Sequence, residues 1–513
     1  MNTAKVRIDH TQIGKDLKEH LNIDGNKRIL FSGPFGTGKS TFLREFFSED
    51  KNNFFTLTLN PINYSIASNE DVFEWVKYDL LIELINNHAS ELDLTKEEFP
   101  TLLISQFFIL ERFKMGSNFN STASTFYPLL GISEKIGKPI IEVLKLIEEF
   151  NAYRDKKEFD EGKLIHNYIK ALKALSGSPY EKDAISAIIS SLIDRLKKKV
   201  KKEKVESVLI IDDLDRLDPD HMFRLFNIFS SHYDINDNNK FGFNKVIFVC
   251  DVENIRNIFH YRYGTDVDFN GYIDKFYSRE VFHFNNRRLI KDFIKEVVPS
   301  LPYNSEEFRK LYPLGVRDLF YQSLELILQS LIDIRALNLR MLVQYHVIKI
   351  PTYSFSVREV HDELLVQNYP AVVIFELLKG FYPSYEVVGI KLKQLAESFN
   401  KGLIATTKQN ISDLENVERA IASYCLPFLI ARKQAFDNDT MYELTKSIGK
   451  HRFVTKDQCV LHYRYHFKEN RRFEYILWVD KITSVADEEL EETINMFELL
   501  YSCFTACRNL KIF

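Results

Sequence analysis

The chain has 513 residues, more than the roughly 250–300 that a single hydrophobic core supports, and we therefore expect two or three packed units. Hydrophobic residues make up 45% of the sequence and charged residues 27%, a balance that is typical of globular proteins and argues against long disordered stretches. The formal net charge of −4 excludes a global basic field that would attract nucleic acid, but it leaves room for a local basic patch.

The cysteines and the first residues predict a cytoplasmic location. The five cysteines are spread along the chain without C-x-x-C spacing, which argues against a disulfide framework or a zinc site. Cys503 and Cys507 stand four residues apart on a predicted helix, where a shared helix face is a simpler explanation than a metal-binding or redox pair. Residues Met1–His10 lack the pattern of a secretory signal, and no window reaches the ~18 uninterrupted apolar residues that a membrane-spanning helix needs.

The first predicted elements are a strand, a glycine-rich turn and a helix. Ile29–Phe31 is a short apolar run, and after the turn apolar residues recur at helical spacing, at Phe42, Leu43, Phe46 and Phe47. A second strand, Phe54–Leu59, ends at Asn60-Pro61, because proline cannot continue it. A helix from about residue 71 to 87 follows.

Residues from about 90 to 205 have a helical, polar-faced pattern, which predicts a helical insertion between strands of one sheet. The segment ends in Lys197–Lys204, which is nearly all lysine. This run is either a solvated helix end, the simpler interpretation, or a contact for nucleic acid.

Three more apolar runs predict buried strands, at Val208–Ile211, Val246–Val249 and Val281–Phe284. With the first two they give about five strands separated by helices. This alternation predicts an α/β core, built on a parallel sheet with right-handed crossovers.

The second half of the chain is predicted to be mainly helical. Amphipathic patterns at Leu289–Val298, Val316–Leu331 and Ile334–Ile348 predict a helical lid. Farther on, Leu461–Phe467 and Phe473–Val479 alternate apolar and polar side chains around a turn, which predicts a β-hairpin.

A helix is predicted from Asp487 to the end, with one apolar stripe formed by Leu490, Ile494, Phe497, Tyr501 and Phe504. The sequence therefore predicts three parts. Residues 1–288 form the α/β core, residues 289–380 the helical lid, and residues 381–513 a mostly α-helical interaction domain that contains the β-hairpin.

The turn after the first strand matches the Walker A pattern in full, with Gly33, Pro34, Phe35, Gly36, Thr37, Gly38, Lys39 and Ser40. The glycines let successive N–H groups face a phosphate, and the following helix N-terminus adds favourable partial charge. We expect Lys39 to bridge the β- and γ-phosphates of ATP and Ser40 to bind Mg²⁺. Thr41 is placed to meet the α-phosphate.

The strand at Val208–Ile211 supplies the carboxylates that such a site needs. Asp212 ends the strand and is predicted to hold Mg²⁺, directly or through water. Asp213 is placed to orient or deprotonate the attacking water. Two strand-end aspartates that cap the next helix are the structural alternative.

Two further residues near these strand ends are candidates for catalysis. Arg216 either meets phosphate charge in a neighbouring subunit or pairs with Asp215. Asp251 follows the strand Val246–Val249, where it either senses the γ-phosphate or caps the helix that begins at Val252.

Four pieces together resemble the KAP P-loop NTPases, a family of the signal-transducing class related to AAA+ ATPases. They are Gly33–Thr41, the strand that enters Asn60-Pro61, the IIDDLDRLDP stretch Ile210–Pro219, and Gly271–Ser278. The Walker A pattern is shared by a whole superfamily, whereas the D-D-x-D-R ending is more particular. The resemblance covers roughly residues 10–350.

The resemblance implies an additional strand between the two Walker strands and a lid arginine that contacts nucleotide. Arg335 and Arg340 match that arginine, and Arg279 is a third candidate. Many family members carry membrane-spanning helices between the Walker motifs, but this stretch is too polar to span a bilayer, which puts a membrane role in doubt. Bacterial members are often linked with phage exclusion, so the resemblance also implies antiviral defence.

The sequence leaves three functions open. The first is a regulatory ATPase switch that acts on a neighbouring subunit or on a protein partner, such as an effector encoded nearby. The second is a nucleic-acid-dependent ATPase, suggested by Lys197–Lys204 and the basic, aromatic run His462–Arg472. The third is a scaffold that binds ATP without turnover.

Overall fold

The computed structural model describes residues 8–49, 53–61, 184–199, 205–231, 239, 241–300, 314–344, 353–358, 360, 364–404, 414–446, 451–468, 474–486 and 494–513, with positions 72, 76–77, 79–81 and 83–84. The chain divides into two compact units. The sheet unit contains Thr11–Pro34 and Gly38–Phe284. The C-terminal unit contains Met1–His10, Phe35–Thr37 and Asn285–Phe513. The three-part division that the sequence suggests stays a prediction.

The sheet unit is built on five parallel strands in the order β2-β3-β4-β1-β5. They are β1 (Arg28–Ser32), β2 (Phe54–Leu59), β3 (Glu206–Ile211), β4 (Lys245–Cys250) and β5 (Phe282–His283). The predicted α/β core is confirmed. As the family resemblance implied, a strand lies between the two that carry the Walker motifs, because β4 pairs with both β1 and β3.

Helices of this unit are α1 (Thr11–Leu21), α2 (Lys39–Glu49), α3 (Ala184–Lys199), α4 (Pro219–Ser231), α5 (Val252–Tyr263) and α6 (Phe269–Ile273). The described positions of the helix predicted at 71–87 are helical. Most of the predicted insertion, from about 90 to 183, lies outside the described residues.

Strands β1, β3 and β4 contain continuous apolar runs because the sheet is covered on both faces. Leu30, Leu209 and Phe248 pack in one core with residues of α3, α4 and α5. Their neighbours Ile29 and Phe31 pack in a second core with residues of α1 and α2. Alternate side chains of a strand point to opposite faces, so these three strands need apolar residues on both sides.

The C-terminal unit contains α7 (Arg287–Val297), α8 (Leu314–Asp333), α9 (Leu339–Gln344), α10 (Pro370–Phe381), α11 (Tyr385–Asn400), α12 (Leu414–Leu429), α13 (Arg432–Phe436), α14 (Asn438–Lys446) and α15 (Met496–Asn509). One large hydrophobic core joins most of them. Two short strands, β6 (Ser354–Phe355) and β7 (Leu364–Leu365), form a separate antiparallel pair.

The predicted β-hairpin is confirmed. Strand β9 (Cys459–Lys468) pairs antiparallel with β10 (Glu474–Ser484), and the predicted turn between them lies mostly outside the described residues. The sequence missed a third strand, β8 (His451–Val454), which pairs with the other side of β9. Its four residues are too few to produce a clear alternation.

One helix boundary in the predicted lid is wrong. The sequence suggested a helix from residue 334, but α9 begins at Leu339, because Arg335 has left-handed backbone with φ 57° and the chain turns there. In the last helix, Cys503 and Cys507 are both buried and share a face, as expected. Within the described ranges, none of the helices has the length and apolar character required to cross a lipid bilayer.

Candidate functional site

The loop between β1 and α2, residues 33–38, has a backbone that only glycine allows at several points. Gly36 and Gly38 have left-handed backbone, with φ of 73° and 92°. Gly33 donates from its N–H to the Cys250 carbonyl at the end of β4, at 3.0 Å. A Cβ on Gly33 would lie 3.0 Å from the Phe284 carbonyl oxygen. The loop therefore curls tightly against the carboxyl ends of neighbouring strands.

Lys39 begins α2 and is 7% exposed. Its Nζ donates to the carbonyl oxygens of Gly33 at 2.7 Å and Pro34 at 3.2 Å. The loop thus holds a buried ammonium group at its centre. A buried cation in this position needs anionic charge nearby, which suits a phosphate chain.

Asp212 follows β3 directly and is 8% exposed. Its carboxylate accepts a hydrogen bond from the Ser40 hydroxyl and another from the Asp213 N–H, the latter at 2.9 Å. Burial raises the pKa of Asp212, although the Ser40 hydrogen bond opposes the shift. A hydroxyl and a carboxylate in direct contact provide hard oxygen donors, so these two residues fit Mg²⁺.

Asp215 is a further acidic residue at this edge, for which the sequence suggested only a pairing with Arg216. Its Oδ2 accepts a hydrogen bond from the Asp251 N–H at 3.1 Å. Its Oδ1 is buried and has no hydrogen-bond partner in the described part of the chain. Burial raises the pKa of Asp215, against the opposing charge of Lys39. The signal in the sequence was the third aspartate of the D-D-x-D run.

Asp213 has different surroundings from its acidic neighbours. Its backbone is left-handed, with φ 53°, and its carboxylate forms an ion pair with Arg216 at 3.1 Å. About a third of its side chain is exposed to solvent. Arg216 thus pairs with Asp213, whereas the pairing with Asp215 that the sequence suggested stays a prediction.

Asp251 caps the N-terminus of α5, because its carboxylate accepts a hydrogen bond from the Glu253 N–H at 3.1 Å. Helix capping, which the sequence offered as the alternative to phosphate sensing, is therefore present. The cap does not decide whether Asp251 also senses a phosphate, which stays a prediction. Thr41 lies on the exposed side of the first turn of α2.

The three candidate arginines have separate environments. Arg335 occupies the turn after α8, and Arg340 lies in α9, both in the C-terminal unit. Arg279 donates to the Asp24 carbonyl at 2.9 and 2.7 Å, in the loop that precedes β1. The glycine-rich loop follows the opposite end of β1, whose five residues span about 13–17 Å. Arg279 is therefore too far away to contact a phosphate there.

The basic segments that suggested nucleic acid are partly described, and three of their described members, Lys197, His462 and Arg464, make structural contacts. Lys197 donates to the Gly242 carbonyl at 3.0 Å, and burial lowers its pKa. Arg464 forms an ion pair with Asp480 on the partner strand of the hairpin, and His462 lies buried 2.9 Å from the Thr483 hydroxyl. Residues 200–204 and 469–473 lie outside the described residues.

A parallel sheet in this strand order, with a glycine-rich loop, a lysine and a strand-end aspartate at its carboxyl edge, defines a P-loop NTPase. Residues 22–282, just over half of the chain, match the family model described as the KAP family P-loop domain. The chain belongs to the KAP family of P-loop NTPases. No curated protein matches the chain.

Proposed function

We propose that this protein binds ATP with Mg²⁺, hydrolyses it, and uses the nucleotide cycle as a regulatory switch. The observation that carries the proposal is the contact of Ser40 with Asp212 beside a buried Lys39, which joins two motifs about 170 residues apart in the sequence. Family membership supports a nucleotide ligand.

The residues of the site have separate roles in binding ATP and Mg²⁺. The N–H groups of the loop from Gly33 to Thr41 face the phosphates, and Lys39 supplies positive charge to the β- and γ-phosphates. Ser40 and Asp212 hold Mg²⁺, which when bound neutralises charge that develops on the transferred phosphoryl group. Asp251 follows the neighbouring strand as the candidate sensor.

Asp213 and Asp215 are the two candidates for the residue that orients the attacking water. Asp213 directly follows the metal-binding aspartate, as the sequence motif suggests, but it is paired with Arg216. Asp215 has one buried oxygen that lacks a hydrogen-bond partner among the residues that the structure describes. The positive charge of Lys39 opposes the rise that burial causes in the pKa of Asp215. The geometry favours Asp215 as the residue that accepts from water. Arg216 and Arg335 remain candidates to meet phosphate charge.

The basic test is hydrolysis by the purified full chain. We expect phosphate release from ATP that requires Mg²⁺ and stops with a chelator, and we expect binding of a fluorescent ATP analogue to be lost in Lys39→Ala. The parent chain failing to bind any adenine nucleotide with Mg²⁺ present would exclude the proposal. Binding without turnover would instead support the scaffold function.

The switch itself needs a separate measurement. We expect the mass of the full chain in solution, or its protease sensitivity, to change when a slowly hydrolysed ATP analogue is added, because the nucleotide must alter the C-terminal unit to reach a subunit or partner. No change in either property would contradict the switch. A companion effector gene beside this one would support a role in antiviral defence.

The nucleic-acid-dependent ATPase is the rival function. In the described parts of both basic segments, Lys197 and Arg464 make internal contacts, which weakens the motive for it. If nucleic acid is a partner, DNA or RNA must stimulate hydrolysis and the stimulation must fall steeply with salt. An unchanged rate with both would remove this function.

A further inference from the structure

The tip of the glycine-rich loop, Phe35–Thr37, belongs to the C-terminal unit and is held there by three residues far away in sequence. Asn286 donates from Nδ2 to the Thr37 carbonyl at 2.7 Å. Arg340 donates from its backbone N–H to the Gly36 carbonyl at 3.1 Å. We call Asn286, Asn338 and Arg340 the loop clamp.

Asn338 contributes to the clamp by packing against Gly36. A Cβ on Gly36 would lie 2.6 Å from Asn338 Cγ, so the amide group packs directly on the Gly36 Cα. The same side chain caps α9, because its Oδ1 accepts from the Met341 N–H at 3.0 Å. Arg340 adds a second contact, with its guanidinium 5.6 Å from the centre of the Phe35 ring.

The clamp fixes the direction of the loop's donors. All described peptide bonds are trans, so the carbonyl of one residue and the N–H of the next point in opposite directions. With the carbonyls of Gly36 and Thr37 bound by the clamp, the N–H groups of Thr37 and Gly38 point to the other side. Those N–H groups belong to the loop whose donors we propose to face phosphate.

The loop needs such external support because glycine is conformationally free. Gly36 and Gly38 populate many backbone conformations in the absence of restraint, and ordering them costs free energy at the moment of binding. A hydrogen bond to each of two successive carbonyls orders the tip beforehand. This lowers the cost of binding a phosphate chain.

The clamp is in turn anchored in the C-terminal unit. The N–H groups of Ala336 and Leu337 both donate to the Leu331 carbonyl, at 2.8 and 3.1 Å, which fixes the turn between α8 and α9. The buried Tyr382 hydroxyl donates to the Ala336 carbonyl at 3.0 Å. Lys291 of α7 and Asp333 of α8 form an ion pair at 2.8 Å. The turn that carries Asn338 is therefore bonded to α8 and to Tyr382, the residue that follows α10.

We propose that the loop clamp positions the phosphate-binding loop and couples its occupancy to the C-terminal unit. Asn286, Asn338 and Arg340 are positioning residues: they aim the donors of Thr37 and Gly38 without touching the reacting atoms. The coupling is reciprocal, so the state of the C-terminal helices also sets the affinity of the loop for nucleotide. This inference rests on the proposed nucleotide-binding function.

Asn286→Ala is the sharpest test, because it removes one donor from a residue that is 2% exposed. We expect the affinity for a fluorescent ATP analogue with Mg²⁺ to fall about 5- to 10-fold, as one lost hydrogen bond predicts. Hydrogen exchange at the amides of Thr37 and Gly38 should also become faster, and this readout needs no nucleotide.

Asn495→Ala is the matched control. Asn495 is also a buried amide that donates to a carbonyl, that of Ala396 at 3.0 Å, and it lies in the same unit away from the loop. We expect it to lower stability while leaving nucleotide affinity and exchange at Thr37 and Gly38 unchanged. An equal loss of affinity in both variants would reduce Asn286 to a general structural role.

Asn338→Asp tests the third contact while keeping the α9 cap and the side-chain shape. A carboxylate against Gly36 repels a triphosphate, so we expect a loss of affinity that shrinks with added salt. Coupling is measured by exchange at residues 336–342, which should slow when the analogue binds to the parent chain and respond less in Asn286→Ala. Parent-like affinity and exchange in both variants would overturn the clamp.

The two proposals fail in different ways. If the parent chain binds no adenine nucleotide, the proposed function is wrong, yet faster exchange at Thr37 and Gly38 in Asn286→Ala still shows that the clamp orders the loop. If the parent chain binds ATP and the two clamp variants behave like it, only the clamp is wrong.

Discussion

Acidic residues in the two units have different surroundings. In the C-terminal unit, the half-buried Glu376 carboxylate accepts hydrogen bonds from the hydroxyls of Tyr353 and Tyr385, at 2.7 and 2.6 Å. In the sheet unit, Asp215 has a buried oxygen with no hydrogen-bond partner among the described residues, and burial raises the pKa of Asp212 and Asp215. Glu376 receives its donors from the fold, whereas the buried oxygen of Asp215 lies at the strand edge where we propose a phosphate ligand.

The largest effect should come from the metal-binding acid. Asp212→Asn removes one of the two oxygen ligands that we assign to Mg²⁺, so we expect hydrolysis to fall on the order of 10³-fold. Steady-state phosphate release measures this. Glu376→Gln is the control from the other unit and should retain parent activity. Parent-like activity in Asp212→Asn would contradict the role of Asp212 as a ligand of Mg²⁺.

The next largest effect separates the two candidates for orienting water. If Asp215 accepts the proton or orients the water, Asp215→Asn should lower kcat by about 10²-fold while the Kd for ATP changes little. Asp213→Asn should have a smaller effect, since it mainly removes the ion pair with Arg216. The reverse order of the two kcat values would assign the role to Asp213.

A smaller effect is expected on stability. Asp215→Asn should raise the stability of the fold although it lowers the activity. Because the pKa of Asp215 is raised by burial, the folded state binds more protons than the unfolded state between the two pKa values, and stability falls as pH rises through that range. At pH 7 the charged form therefore destabilises the nucleotide-free fold. We expect Asp215→Asn to raise the thermal midpoint by about 2–4 °C.

The rise in thermal midpoint of Asp215→Asn should be present at neutral pH and lost in acid. Below the ordinary carboxyl pKa, Asp215 is protonated in both states, so the stabilisation by Asn should disappear there. Thermal unfolding of the two proteins at pH 7 and near pH 3 provides the measurement. A gain that persists unchanged in acid would show that burial of the charge is not its cause.

The smallest effect is expected for the satisfied acid of the C-terminal unit. Tyr385→Phe removes one donor to Glu376 and should lower the free energy of unfolding by about 1 kcal/mol, with no change in nucleotide affinity. Burial, followed by the hydrogen bond to Glu376, raises the pKa of the Tyr385 hydroxyl, so it stays a donor over the whole neutral range. Chemical denaturation with binding of the ATP analogue in parallel checks both statements. A loss of affinity would show that nucleotide binding also depends on the general stability of the C-terminal unit.

Much of the sheet unit could be predicted because its signals are local. Each predicted apolar run corresponds to a strand. The polar residues that follow these runs lie at the carboxyl edge of the sheet. The hairpin of β9 and β10 was predicted for the same reason, since alternation over seven residues needs no distant partner. The short strand β8 and the turn at Arg335 were missed, because neighbours in space decide them.

By itself the sequence determined the chemistry that is available: a glycine-rich loop before Lys39 and aspartates after an apolar strand. Tertiary structure alone decided which groups meet. It placed β4 between the two motif strands, left one oxygen of Asp215 buried without a donor among the described residues, and brought Asn286 to Thr37 across 249 residues. Local periodicity reports which face of an element is buried, whereas a contact between distant residues depends on how all elements pack together.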